Sequence, residues 1–82
     1  MPRYFFHSED GHLFHDAEGT ELADDQAARA DAVRVTGELL ADRPQMAWET
    51  TRWRLLTTDE TGRILFTIEL RAEVGSAVLP WT

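Results

Sequence analysis

The sequence predicts an α+β domain with the element order β-β-α-β-β, in which one helix packs on one face of a four-stranded antiparallel sheet. Two observations lead to this prediction. Two segments share one design, in which strand-forming residues flank a short acidic loop that ends in glycine. The stretch between them has apolar residues at helical spacing. We expect a single domain over residues 1–70 and a tail over residues 71–82.

The first hairpin is predicted around a loop at residues 8–11, where Gly11 can adopt the left-handed backbone conformation that such a connection needs. A four-residue loop sets four cross-strand pairs, which are Tyr4 with His15, Phe5 with Phe14, Phe6 with Leu13 and His7 with His12. Both faces of this hairpin are partly apolar, so the pattern leaves open which face is buried.

The second hairpin is predicted around a loop at residues 59–62. The same loop length pairs Thr57 with Ile64, Leu55 with Phe66 and Trp53 with Ile68 on one face, and Leu56 with Leu65 and Arg52 with Glu69 on the other. The first face gathers the large apolar groups, and the second sets opposite charges across from each other. We therefore take the Trp53 face as the core face.

The helix is predicted to begin after Asp24, a typical N-cap residue, and to end before Pro44. Its apolar stripe toward the sheet consists of Ala28, Ala32, Val35 and Leu39. Residues 44–51, which include Trp48, are expected to form a linker to the second hairpin.

The charge of the chain is strongly acidic and unevenly placed. The 82 residues carry 15 acidic and eight basic side chains, a net charge of −7, and every basic residue is arginine. Seven of the acids fall between residues 9 and 25, where there is no arginine. Because this sign repels phosphate backbones, nucleic-acid binding is not expected. There is no cysteine, and no apolar run has the length of a membrane span, so we expect a soluble cytoplasmic protein.

Few residues suggest chemistry. The predicted neighbours His7 and His12 are the candidate metal ligands, although two ligands alone do not make a site. In residues 16–21, acidic residues alternate with other residues, as they do in a calcium-binding loop. Compared with the EF-hand pattern, however, the glycine comes two positions early and the closing glutamate is missing. No nucleophile motif or phosphate loop is present. We therefore expect no catalytic residue, no metal and no cofactor.

The modest core of so small a domain favours self-association. The candidate interface residues are Leu56 and Leu65 on the second sheet face, Val33 and Leu40 about a third of a helical turn from the apolar stripe, and Trp81 in the tail. The tail either packs on its own domain or docks on another chain. The function expected is a non-catalytic interaction or regulatory module that forms a homodimer. The alternative is an antitoxin-like protein that binds a basic toxin or nuclease.

Several motifs carry a family resemblance. They are the opening strand Pro2 to His7, the turn Asp10-Gly11, the pattern Asp16-x-Glu18-Gly19-x-Glu21-Leu22, the helix start Ala27-Ala28-x-Ala30 and the turn Asp59-Glu60-x-Gly62-Arg63. Over about residues 2–70 the chain resembles a family of small stand-alone bacterial proteins of unknown function. This resemblance implies no catalytic or binding residues.

A second and more distant resemblance concerns the first half of the chain. A strand, an acidic turn with glycine, a second strand and an alanine-rich helix are similar to the amino-terminal domains of HicB-type antitoxins. That resemblance implies a degenerate RNA-binding fold and a toxin partner, by analogy of fold alone.

Overall fold

The computed structural model describes residues 1–49, 52–75 and 78–80. The elements in these ranges are β1 (Arg3–Glu9), β2 (Leu13–Phe14), β3 (Thr20–Glu21), α1 (Asp25–Asp42), α2 (Met46–Glu49), β4 (Trp53–Thr58) and β5 (Ile64–Leu70). The described residues after β5 form no helix or strand, and Val74 and Val78 in them are 88% exposed. None of the helices in the described parts of the chain is long and apolar enough to cross a membrane.

The sheet is antiparallel, and β1 lies at its centre. The strand order is β2-β1-β4-β5, and β3 also pairs with β1. The two short strands share one edge of β1, because β3 pairs with Arg3 and Tyr4 while β2 pairs with Ser8 and Glu9. The predicted α+β class and antiparallel sheet are confirmed. The sheet has five strands rather than four, since the two-residue strand β3 is too short to leave a pattern in the sequence.

The register of the first hairpin differs from the prediction. Glu9 lies opposite Leu13 and Ser8 opposite Phe14, so the connection is residues 10–12. The turn tightens because the Asp10 carboxylate accepts a hydrogen bond from the His12 backbone N–H at 3.2 Å. A shift by an odd number of residues moves each side chain to the opposite face. The predicted pairing of His7 with His12 is therefore wrong.

The second hairpin keeps its predicted core face along Trp53 to Thr57 although its register shifts by two residues. The predicted pairing of Ile64 with Thr57 is wrong, because Ile64 lies opposite Thr58 on the other face of the sheet. Leu55 lies opposite Ile68 and Trp53 opposite Leu70, and a bulge between Thr57 and Thr58 leaves Leu65 without a cross-strand partner. An even shift preserves the face of each side chain as far as the bulge, and the extra residue there turns Ile64 to the opposite face. The expected contact between Arg52 and Glu69 is present as an ion pair of 2.9 Å, and the Trp53 face is the core face.

Helix α1 begins and ends where the sequence predicts. The Asp24 side chain accepts a hydrogen bond from the Ala27 N–H at 2.8 Å, and Arg43, just before Pro44, is the C-cap. The Tyr4 hydroxyl donates to the Asp25 carboxylate at 2.7 Å and ties the first turn of the helix to β1. This hydrogen bond, together with burial, raises the pKa of Tyr4 to about 12.

The core lies between α1 and the sheet. Its buried residues are Ala32, Met46, Trp53 and Leu55. Met46 comes from α2, a short helix within the predicted linker. Half-buried Leu40 packs against the same cluster, whereas Val33 on the outer side of α1 is 65% exposed. The core is thus completed by a segment that the sequence predicts to be a linker.

Thr57 provides a test of this core. Its side chain is fully buried, and its hydroxyl has no hydrogen-bond partner among the described residues, whereas the neighbouring Thr58 hydroxyl bonds to His7. Removing an unpaired buried hydroxyl is favourable, so Thr57→Val should raise the free energy of unfolding by about 1 kcal/mol. Urea denaturation measures this change. Thr58→Val is the matched control and should lower it by about 1 kcal/mol; equal losses in both variants would contradict the assignment.

Candidate functional site

The candidate site lies on the face of the sheet opposite α1, here called the helix-free face. Alternate residues of the two central strands lie on it: Phe5, His7 and Glu9 of β1 are opposite Thr58, Leu56 and Arg54 of β4. The segment at residues 15–19 covers part of this face, since the His15 ring stacks on His7. The face is therefore part apolar sheet and part folded loop.

Three rings form a row on the helix-free face. The centroids of Phe5 and His7 are 6.3 Å apart with nearly parallel planes, and those of His7 and His15 are 4.7 Å apart. Such spacings are typical of packed aromatic rings. His7 sits in the middle of the row and is buried, whereas His15 is exposed.

Both ring nitrogens of His7 are hydrogen-bonded. The Asp16 backbone N–H donates to Nδ1 at 3.0 Å, and Nε2 lies 2.9 Å from the Thr58 hydroxyl. Because a backbone N–H can only donate, Nδ1 accepts and the neutral ring carries its proton on Nε2. Burial lowers the pKa of His7, His15 lowers it further, and the Asp16 carboxylate opposes both. His7 is thus held in one neutral tautomer.

This tautomer determines what the His7–Thr58 pair can do. A histidine activates a hydroxyl by accepting its proton. Nε2 of His7 already carries a proton and donates a hydrogen bond to the Thr58 oxygen, so it cannot accept the hydroxyl proton. The pair therefore has the polarity of a structural hydrogen bond rather than that of a base and its nucleophile.

The Asp16 side chain closes a gap at the edge of β1. One carboxylate oxygen accepts from the Phe6 N–H at 3.1 Å, in the interval between the residues paired with β2 and those paired with β3. The other accepts from the N–H groups of Glu18 and Gly19, each at 3.1 Å. Burial opposes ionisation of this carboxyl, but the three hydrogen bonds outweigh it and lower the pKa of Asp16.

Gly19 brings the same loop into contact with the sheet. Its φ of +74° is in the left-handed region, and a Cβ at this position would lie 2.8 Å from a ring carbon of Phe5 and 2.9 Å from Arg3 Cγ. Only glycine fits both the backbone angle and the space. The loop therefore lies directly on the side chains of β1.

A groove of about 390 Å³ opens on the helix-free face. Its lining residues are Phe5, His7, Leu13, His15, Leu56, Thr58, Asp59, Glu60, Gly62 and Ile64. Leu13 and Ile64 are each 57% exposed. The volume falls in the lower part of the range found for binding pockets, and an apolar lining with a few polar groups is typical of them.

The charges around the groove are mostly paired within the chain. Three ion pairs join Arg3 to Glu21, Arg54 to Glu9 and Arg52 to Glu69. At the turn between β4 and β5, Asp59 accepts hydrogen bonds from Thr61 and Arg63, and these lower its pKa. Glu60 is exposed beside it. The groove thus has an apolar floor and a negatively charged end.

The structure separates the residues that the sequence analysis singled out. His7 lies in the groove with both nitrogens engaged, while His12 lies in the exposed turn. No group of three or more histidine, aspartate or glutamate side chains within the described ranges is placed to hold a metal ion. In the suggested calcium loop, the Asp16 carboxylate is turned to backbone N–H groups instead.

The predicted interface residues are also dispersed. Leu56 lines the groove, Leu65 is the residue skipped at the bulge of β5, and Leu40 packs against the core. Val33 is exposed on the far side of the helix, and Trp81 lies outside the described residues. The sequence does not predict the roles of His15 and Asp16 on the helix-free face. For Asp16, the three-residue spacing to Gly19, typical of a turn closed by a side chain, is the signal that could indicate its role.

These features define a small α+β domain with one helix layer and a helix-free sheet face that carries a groove. Residues 3–71 match the family described as domain of unknown function (DUF6894), and the chain belongs to that family. No curated protein and no solved structure gives a significant match.

Proposed function

We propose that the protein is a non-catalytic interaction module that forms a homodimer by pairing the β5 strands of two copies. The observation that carries the proposal is the free edge of β5. Within the described ranges, β4 is the one strand hydrogen-bonded to β5, so the other edge of β5 has no strand partner. Such an edge presents a row of backbone donors and acceptors that another strand can satisfy.

β5 lacks the features that protect an edge strand. It has seven residues, whereas β2 and β3 at the opposite edge have two each. Glu69 is its single charged residue, and it contains no proline or lysine. Proteins normally shorten, charge or kink an exposed edge to prevent pairing. The composition of β5 therefore favours a strand that pairs.

An isologous dimer fits this strand. Antiparallel pairing with Thr67 on the two-fold axis uses all seven residues and keeps both copies of α1 on one face. Phe66 then lies opposite the partner's Ile68, which extends the apolar surface under the helices. Each Glu69 lies opposite the partner's Leu65, so the two carboxylates do not face each other.

A cysteine at the axis tests this pairing. Because the chain has no cysteine, Thr67→Cys introduces a single thiol. At the two-fold axis, two such thiols come within disulfide range, and mild oxidation is expected to give a crosslinked dimer on non-reducing gels. Light scattering of the unmodified protein should give twice the monomer mass.

The matched control is Thr20→Cys, an exposed threonine in the short strand β3 on the other edge. It should crosslink slowly. A monomeric mass at high protein concentration, or equal crosslinking of the two variants, would overturn the proposal. The antitoxin-like alternative stays a prediction that rests on the acidic charge of the chain.

A further inference from the structure

We propose that the groove on the helix-free face docks a segment of a partner protein in which an apolar side chain stands next to arginine or lysine. The inference deepens the proposed role as an interaction module, and it does not depend on β5 pairing. It is carried by two independent properties of the groove: its apolar lining and its charge.

The apolar part of the occupant follows from the lining. Phe5, Leu13, Leu56 and Ile64 surround the groove, and helix α1 covers the other side of the sheet. Leu13 and Ile64 are more than half exposed, so a side chain entering between them would remove apolar surface from water on both sides. Each buried CH₂ group of an entering side chain is favourable.

The hydrogen-bonding groups of the groove restrict the polar part of the occupant. The His7 ring donates to the Thr58 hydroxyl through Nε2 and accepts from the Asp16 N–H at Nδ1, so neither ring nitrogen is left for an occupant. The remaining polar side chains in the lining are His15, Asp59 and Glu60. Carboxylates accept hydrogen bonds and cannot donate them when ionised, so this end of the groove fits a donor group that carries positive charge.

The surrounding charges favour the same occupant. Within each ion pair of the face the arginine and glutamate charges cancel. At the turn, the two acids Asp59 and Glu60 outnumber the one basic residue Arg63. The net charge of −7 repels acidic segments and attracts basic ones over a distance. A second copy offers the same acidic groove end, so the observations favour a different, basic partner over another copy of this chain.

Three fluorescein-labelled peptides test the proposal: Arg-Leu-Arg-Leu-Arg, its counterpart with glutamate for arginine, and its counterpart with serine for leucine. Titration of the full chain, followed by anisotropy and by ¹H–¹⁵N spectra, should show saturable binding of the first peptide and shifts confined to groove residues. Each counterpart should bind about tenfold more weakly.

Two matched pairs of variants locate the binding. Leu13→Ser and Glu60→Gln should each weaken the Arg-Leu peptide several-fold, whereas Val33→Ser and Glu49→Gln, exposed residues on the helices, should leave it unchanged. Absence of binding at millimolar peptide, equal binding of the serine counterpart, or shifts outside the groove would overturn the inference. A monomeric mass with intact peptide binding would overturn β5 pairing alone.

Discussion

Replacement of Asp16 by alanine is expected to lower the free energy of unfolding by about 3 kcal/mol, because three backbone N–H groups lose a charged acceptor together. Two of them, from Glu18 and Gly19, shape the loop, and the third, from Phe6, belongs to the central strand. A loss of this size is a large fraction of the stability of a small domain. Urea or thermal denaturation at neutral pH measures it.

Asp10→Ala is the matched control for this prediction. Asp10 also sits in a turn and accepts a backbone N–H, but it accepts only that of His12 among the described residues, at the exposed end of the hairpin. Its loss should cost below about 1 kcal/mol. If Asp16→Ala cost no more than Asp10→Ala, the carboxylate would not be closing the edge of β1 as the geometry indicates.

The contrast between these two aspartates shows what sequence can predict here. Asp10 and Asp24 act within a few residues of their own position, in a turn and at a helix start. The local pattern predicts the cap at Asp24 and a turn near Asp10, although not the register that the Asp10 turn sets. The bond from Asp16 to Phe6 spans ten residues and depends on where β2 and β3 leave a gap. No local pattern encodes that gap, so this part of the site appears only in the folded chain.

The register of each hairpin depends on the length of its turn, which the sequence pattern does not determine. The sequence predicts a four-residue loop in both, and both observed registers differ from that prediction. In the second hairpin the shift is even, so Trp53 and Leu55 remain on the core face as predicted. In the first hairpin the shift is odd, because the Asp10 turn is shorter, and His15 replaces His12 beside His7. A one-residue difference in a turn therefore determines which residues form the candidate site.

Replacement of His7 by glutamine is expected to lower the free energy of unfolding at neutral pH by about 2 kcal/mol, because the Asp16 N–H and the Thr58 hydroxyl lose the ring to which both are hydrogen-bonded. It should also remove part of the acid sensitivity of the fold. The pKa of His7 lies below its ordinary value of 6.5 in the folded chain. The unfolded chain therefore binds more protons as the pH falls below 6.5, and unfolding becomes easier.

The contribution of His7 to the free energy of unfolding depends on pH. The contribution of His7 is complete above about pH 6.5 and is lost as the pH falls through the lowered pKa of the folded state. Asp16, whose pKa is lowered from 3.8, adds a second loss at more acidic pH. The groups that face His7 are His15 and Asp16 of the covering loop, with Leu56 and Thr58 of β4.

His12→Gln supplies the control, since His12 is exposed in the turn and its ring has no hydrogen bond among the described residues. Unfolding free energies measured between neutral pH and about pH 5 should fall as steeply in His12→Gln as in the unmodified chain, and less steeply in His7→Gln. Equal slopes in the two variants would show that the acid sensitivity has another origin.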